Sequence, residues 1–410
     1  MSASNTMNTL SLNWKKVMYD PDASMDMAMQ LTGWHALCKL ASSLRDGMPC
    51  VPTDHATNGL NNMARLLQFT DGTMWVARIA MRRSAAATEK LRNEVDTMCW
   101  IHEQSRLPSP EIFAFEVDEH NVVGVPFVLM SFILGNTAMD SGGGYDTHHG
   151  VIPVAQRPHF YRSVAPCHVQ MTSLRLPQIG TIRKTANGTF EAGPLRGIGG
   201  PFDSATDFFL AWADHVQFPR QPSEILEIMG GAPEAERVLH AVETFLDRFR
   251  VVVPQFVARS SRGRDTGPFP LCHPDFLHSN IIVAGDDDYT VLGVIDWEGA
   301  CTLPLELVCF PRFLDAMPRR FDRPSRYGPD GLPRDEDERQ LLRERRAYVQ
   351  MVAAWEAQEG TDRTLSDCLA DENAQALSYG LEAFDVGKMG FYDDLLDDLD
   401  KDLPPTLVSL

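Results

Sequence analysis

The chain has eight cysteines in 410 residues, and none stands in a Cys-x-x-Cys pair or a short framework spacing. At this length such scatter excludes a disulfide scaffold and implies thiols in a reducing compartment, hence a cytoplasmic protein. No window reaches the apolar length that crosses a bilayer, so no membrane partner is expected. The opening stretch MSASNTMNTLSLNWKK lacks the basic-then-apolar order of a signal peptide. Positive charge is also scarce. The 37 Lys and Arg stand against 56 Asp and Glu, a formal charge of −19. A nucleic-acid partner would need a concentrated basic face, so none is expected. Internal repeats, low-complexity tracts and a G-x-G-x-x-G loop are missing too. The acidic run YDDLLDDLDKD near the end reads as a solvated helix face or a frayed tail.

What is present describes a globular chain. Hydrophobic residues make up 44% of it, and its length exceeds what one ordinary core serves, so two lobes are expected. Residues 20–45 carry helical apolar spacing behind an Asp-rich start. MARLLQFTDGTMWVARIAM reads as a hairpin turning at Asp71-Gly72. SAAATEKLRNEVDTMCWIHEQS favours a helix, and EIFAFEVDEHNVVGVPFVLMSFI contains two more strand-like runs. The Gly-rich NTAMDSGGGYDTHHG is loop by composition. Beyond it the chain reads as helical, as in SATDFFLAWADHVQ, EAERVLHAVETFLDRF and DERQLLRERRAYVQMVAAWEAQ. One β-rich island, Pro268–Ala300, interrupts it. The expected division is a helical extension over 1–48, a β-rich N-lobe over 49–135 and a helical C-lobe over 136–410 with a catalytic loop at 271–300.

That island holds the chemistry. FPLCHPDFLHSNIIV sets His273, Asp275, His278 and Asn280 between apolar runs, where polar side chains cost free energy unless they are paired or working. Sixteen residues after Asn280, VLGVIDWEGA ends a strand-like run on Asp296. An Asp to receive a hydroxyl proton, with an Asn and a second Asp to hold Mg²⁺, is the apparatus of kinase-like phosphotransferases. Transfer of a phosphoryl group leaves a protein little covalent work, so hard oxygen ligands and a positioned base suffice. His278 with His273 and Asp275 offers a rival metal site, but zinc takes a closed ligand set and no fourth ligand is evident. Glu298 is open between a metal-proximal carboxylate and a capping or solvent-facing role.

These segments resemble the aminoglycoside phosphotransferase and choline kinase superfamily, in particular its fungal-type members. DGTMWVARI resembles the strand carrying the phosphate-contacting cation, with Arg78 where kinases usually place Lys. LRNEVDTMCWI resembles the next helix, with Glu94 pairing that cation. Asn58, Gly59 and Asn62 in NGLNNMARLLQF are similar to the short Gly-x-x-Asn nucleotide loop. PFVLMSFILG resembles the adenine-holding strand and hinge, with Met130 as gatekeeper and the Ser131–Ile133 backbone toward the purine. The resemblance implies a protein-kinase-like bilobal α+β fold with a small β-rich N-lobe and a large, mainly helical C-lobe. It implies ATP and Mg²⁺ as cofactors and a small-molecule hydroxyl as acceptor. Asp275 would be the base, His273 mainly a brace, and Asn280 and Asp296 the metal ligands. An acceptor pocket is expected near 201–215 and 311–319, and an acidic chain suits an amine-bearing acceptor. Pro274 stands where protein kinases carry the Arg that reads a phosphorylated loop, which implies a constitutively assembled small-molecule kinase. The alternative is a kinase-like nucleotide-binding scaffold that has lost transfer. The sequence names neither the acceptor nor an oligomeric state.

Overall fold

The computed structural model describes residues 24–82, 84–259 and 265–400, together with Leu12 and Trp14. Most of the expected extension before residue 24, and the end of the acidic run at 401–402, lie outside the described residues. The helical pattern over 20–45 gives two helices rather than one, α1 (Ser24–Leu31) and α2 (Trp34–Ser43). The break falls at Gly33, which donates its N–H to the Val123 carbonyl at 2.8 Å. A glycine, a poor helix former, and a hydrogen bond to a distant segment coincide where the first helix ends.

Next come β1 (Cys50–Asn58), β2 (Asn62–Phe69), β3 (Met74–Ala80), α3 (Ala85–Gln104), β4 (Ile112–Glu116) and β5 (Phe127–Ser131). The strands form one antiparallel sheet in the order β1-β2-β3-β5-β4. The expected Asp-Gly turn joins β2 to β3, with Gly72 at φ +89°. One face of the sheet is closed by α1 and α2, through Met25 and Leu37 against Met63, Trp75 and Ile79. Leu91 and Val95 of α3 pack on Val128 of β5. Successive side chains alternate across a strand. Trp75, Ala77 and Ile79 therefore enter the α1–α2 core, and Arg78 turns toward α3.

The Gly-rich stretch is not all loop. It holds β6 (Asn136–Thr137) and a short helix, α4 (Gly144–His148). Its glycines serve backbone geometry: Gly142, Gly143 and Gly144 take φ of +65°, +93° and +66°, which side chains disfavour. After α5 (Arg157–Ser173) the chain forms β7 (Arg175–Leu176), β8 (Gly180–Lys184) and β9 (Phe190–Gly193), where the sequence pattern led us to expect mostly helix. Such short runs are too brief for a readable alternation. The chain continues through α6 (Ala205–His215), α7 (Pro222–Ile228), α8 (Ala235–Arg259), β10 (Phe269–Cys272), β11 (Ile281–Val283), β12 (Val291–Val294) and β13 (Cys301–Thr302). It closes with α9 (Glu336–Glu359), α10 (Thr364–Ala370), α11 (Glu372–Asp385) and α12 (Tyr392–Asp400). Between β13 and α9, Pro304, Pro311 and Pro318, spaced seven residues apart in the sequence, each precede a 3₁₀ turn. Among the described residues no helix is long and apolar enough to cross a membrane. None of the eight cysteines forms a disulfide.

Proximity groups the chain into two compact units. One takes the residues up to Gln170 with Ile182–Phe190 and His273–Ala300; the other takes Met171–Thr181, Glu191–Cys272 and the residues from Cys301 on. The segment 273–300 joins the first because β11 pairs with β6, Ile282 opposite Thr137 and Val283 opposite Asn136. Every candidate catalytic, nucleotide-binding and metal residue therefore lies in that unit, and the segments 201–215 and 311–319 expected to build the acceptor pocket belong to the other. The second unit is built on α8, whose Val242, Phe245, Phe249 and Val253 pack with Trp212, Phe384 and Tyr392. Tyr392, Leu395, Leu396 and Leu399 of α12 are buried in the same core, and full burial of such a side chain is worth about 2 kcal/mol. Asp393 and Asp397 lie on the other face, 2.6 and 2.7 Å from Arg248. As far as Asp400 the acidic run is thus a docked helix with a charged outer face, not a frayed tail.

His168 of α5 is 3% exposed, with its ring edge-on to Phe276 at 5.3 Å. Burial pulls its pKa from 6.5 down to about 3. The unfolded chain therefore binds a proton near pH 6.5 that the folded chain refuses, so this contribution is complete above that pH and is lost as pH falls toward 3. From this group alone, unfolding free energy should drop by about 2 kcal/mol between pH 7.5 and pH 5. Urea melts of wild type and His168→Leu check it: the variant should lose that part of the slope, and equal slopes would refute the assignment.

Candidate functional site

The β11–β12 hairpin sets the geometry. In its antiparallel register Ile281 faces Val294 and Ile282 faces Gly293. The ladder runs one step further, where Ile295 donates its N–H to the Asn280 carbonyl at 2.9 Å. Asn280 and Asp296 thereby flank the same end of the hairpin although sixteen residues separate them. Asp296 has φ +64°, a left-handed conformation that costs a non-glycine residue free energy and concentrates at working sites. The Ile133 side chain packs close over Gly293, its Cδ1 in the space a Cβ there would take.

Asp275 is exposed and its main chain is fixed on both sides. Its carbonyl accepts from Leu277 N–H at 2.7 Å and from the Asn280 side-chain amide at 3.0 Å. Its N–H donates to His273 Nδ1 at 3.1 Å. That bond settles the His273 tautomer: Nδ1 accepts, so Nε2 carries the hydrogen and donates to the Ile295 carbonyl at 3.0 Å. Burial pushes the His273 pKa down against the opposing pull of that carbonyl, Asp296 and Asp275. A neutral imidazole, its ring tilted at 54° to Trp297 with centroids 4.7 Å apart, so braces Asp275 against the strand that leads to Asp296. His278 makes no metal site with His273 and Asp275, because no group of three such ligands gathers among the described residues. Its Nε2 instead meets the Gly150 carbonyl, tying this loop to the Gly-rich segment.

Arg78 is not an exposed strand arginine. Its side chain is 11% exposed, its Nη1 pairs with Glu94, which is 2% exposed, and its Nη2 lies 2.7 Å from Asp296 Oδ1. The structure therefore joins Arg78, Glu94 and Asp296 directly, and Asp296 connects through the hairpin to Asn280, Asp275 and His273. Glu298, left open by the sequence, is neither solvent-facing nor a simple cap. Lys90 lies 2.8 Å from it, and the amides of Asn61 and Asn62 donate to it at 3.2 and 3.4 Å. The sequence reading passed over Lys90 and Asn61. Lys90 stands four residues before Glu94 and hence on the same face of α3, a signal that gains meaning only once Glu94 is placed.

The remaining candidates border this cluster less directly. Asn58 ends β1, Gly59 donates its N–H to the Asn62 carbonyl at 2.9 Å, and a Cβ on Gly59 would meet nothing within 4 Å. Met130 packs beside Leu91, Val95 and Val128 under α3. Ser131 has its N–H committed to the Glu111 carbonyl and its hydroxyl accepting from Glu111 N–H, both at 2.9 Å. Ile133 lies over Gly293.

The sequence pattern of the phosphotransferase enzyme family matches residues 56–305. The chain belongs to that family. The antiparallel sheet and the helices give the α+β class expected from the sequence, and the family is one of phosphotransferase enzymes. The family match runs from Ala56, near the end of β1, to Leu305, where a 3₁₀ turn begins, and so contains every residue of the cluster. A subtelomeric hrmA-associated cluster protein of Aspergillus fumigatus is 24% identical over 302 residues, covering 61% of this chain and 57% of that relative. The chain thus spans little more than half the length of that relative. The structure of the macrolide 2′-phosphotransferase from Brachybacterium faecium shows 14% identity and a TM-score of 0.40, covering 90% of this chain and 98% of that one. An aminoglycoside phosphotransferase from Alicyclobacillus acidocaldarius shows 14% identity and a TM-score of 0.33, covering 84% and 90%.

Removing one partner of a buried ion pair strands the other, which costs more than deleting both. Arg78→Met should lower unfolding free energy by about 3 kcal/mol, and Arg78→Met/Glu94→Met should recover most of that loss. Urea melts of the three proteins decide it: a double variant as unstable as the single one would show that Glu94 is not held by Arg78.

Proposed function

We propose that this phosphotransferase moves the γ-phosphoryl group of ATP to a hydroxyl of a small molecule in the cytoplasm. The carrying observation is the coupling of an exposed carboxylate, Asp275, through Asn280 and the hairpin ladder to Asp296 and the buried Arg78–Glu94 pair. Asp275 would orient the acceptor hydroxyl and take its proton, held in place by neutral His273 and by its own carbonyl bonds. The donor end of the Asn280 amide is committed to the Asp275 carbonyl, so its oxygen is the end that would meet a cation shared with the Asp296 carboxylate. One amide and one carboxylate oxygen suit Mg²⁺, which commonly takes one or two protein ligands and completes its shell with phosphates and water. When bound, the ion would neutralise charge developing on the transferred phosphate. Arg78 would keep Glu94 and turn its second nitrogen from Asp296 to phosphate oxygens, a contact the guanidinium fork suits. The nucleotide loop would run through Asn58, Gly59 and Asn62, with Met130 and the Ser131–Ile133 hinge beside the base. In this reading residues 49–135 and 136–410 act as the two lobes.

The test is Mg²⁺-dependent release of ADP from ATP, alone and with a panel of small alcohols and amino alcohols. Asp275→Ala and Asp296→Ala should each lower turnover by roughly 10²-fold or more, the usual scale for a lost base or metal ligand. Unchanged turnover in both would refute the mechanism. A wild type that binds ATP yet turns over with no alcohol tested would favour a nucleotide-binding scaffold.

A further inference from the structure

Four donors from separate elements converge on one carboxylate. The Asn61 amide donates to Glu298 Oε1 at 3.2 Å and the Asn62 amide to Oε2 at 3.4 Å. Lys90 Nζ lies 2.8 Å from Oε1, and Arg78 Nη2 lies 4.0 Å from Oε2. The amides come from the β1–β2 loop and the start of β2, the ammonium from α3 and the guanidinium from β3. Two amides, an ammonium and a guanidinium aimed at one point make a set suited to phosphate oxygens. Here it is filled by the chain's own acidic side chain, 17% exposed.

Charge explains why such filling matters. Glu94, Asp296 and Glu298 stand against Arg78 and Lys90, an acidic excess before Asp275 is counted. An anionic phosphate chain entering that field is opposed unless cations are released to meet it. Arg78 is held on one side by buried Glu94, whereas Lys90 is 44% exposed and held by Glu298. Lys90 also stands on a flexible stem, so it can change partners without moving α3.

We propose that Glu298 is an internal stand-in for the phosphates of the nucleotide. In the nucleotide-free chain it holds Lys90, Asn61 and Asn62 in place, and it surrenders them when phosphates arrive. Lys90 then becomes a second phosphate-contacting cation beside Arg78. Glu298 is a positioning residue that keeps the loop and α3 together at the expense of nucleotide affinity. This inference rests on the nucleotide-binding reading of the site. A plain structural brace makes the opposite prediction, because loosening a brace weakens binding.

Calorimetric titration of the full chain with Mg·ADP separates the two. Glu298→Gln keeps the size and an acceptor oxygen but removes the charge, and it should bind about 3- to 10-fold more tightly, the scale of one released ion pair. Lys90→Met should bind about 5- to 10-fold more weakly through loss of one charge-assisted contact. Lys90→Met/Glu298→Gln should match Lys90→Met within about 2-fold, because the gain from Glu298→Gln requires the lysine it frees. Equal or weaker binding by Glu298→Gln, or unchanged binding by Lys90→Met, overturns the stand-in while the nucleotide reading survives. A wild type that binds no Mg·ADP overturns both.

Discussion

The site depends on the guanidinium of Arg78 lying between a buried carboxylate and an exposed one. Glu94 is almost fully enclosed by α3 and the sheet, where an unpaired charge would be expensive. A cation delivered from β3 meets it, and alternation along that strand is what turns Arg78 to the α3 side. The same side chain then reaches Asp296 with its other nitrogen. One residue thus secures α3, the sheet and the end of the β11–β12 hairpin. The catalytic candidates downstream of it are placed by hydrogen bonds of the main chain rather than by further ion pairs.

Main-chain placement suits residues that must stay available. The Asp275 carboxylate is exposed because the loop around it is held by its carbonyl, its N–H and the neighbouring imidazole. Burial keeps that imidazole neutral, so His273 can accept at one nitrogen and donate at the other without adding a charge beside the candidate metal ligands. A cation at 273 would compete for Asp275 and Asp296. The depressed pKa of His273 is therefore part of how the two carboxylates stay accessible.

Much of this was legible in the sequence wherever the signal was local. The β2–β3 hairpin followed from Asp-Gly between alternating runs, α3 from its propensity, and the grouping of Asp275, Asn280 and Asp296 from spacing within the island. What failed was governed by partners far along the chain. The break between α1 and α2 at Gly33 is pinned by Val123, and β6 exists because β11 lies beside it. The acidic run looked peripheral since its four buried side chains show their value only against α8. Glu298 could not be resolved for the same reason: Asn61 and Lys90, 237 and 208 residues away, decide its role. A short motif declares its chemistry locally, but a hub is defined by what converges on it.

The same reasoning bears on arginine at 78, where kinases usually carry lysine. A lysine offers one ammonium nitrogen, and two carboxylates sharing it must crowd around a single point. The arginine fork addresses Glu94 through Nη1 and Asp296 through Nη2, so the two acids can stay apart while both are paired. The separation lets the interaction with Asp296 be exchanged without disturbing Glu94, since the bond that holds α3 is made by a different nitrogen. In the proposed mechanism arginine at this position would hold Glu94 throughout and Asp296 conditionally, and the conditional partner is the carboxylate proposed to hold the metal.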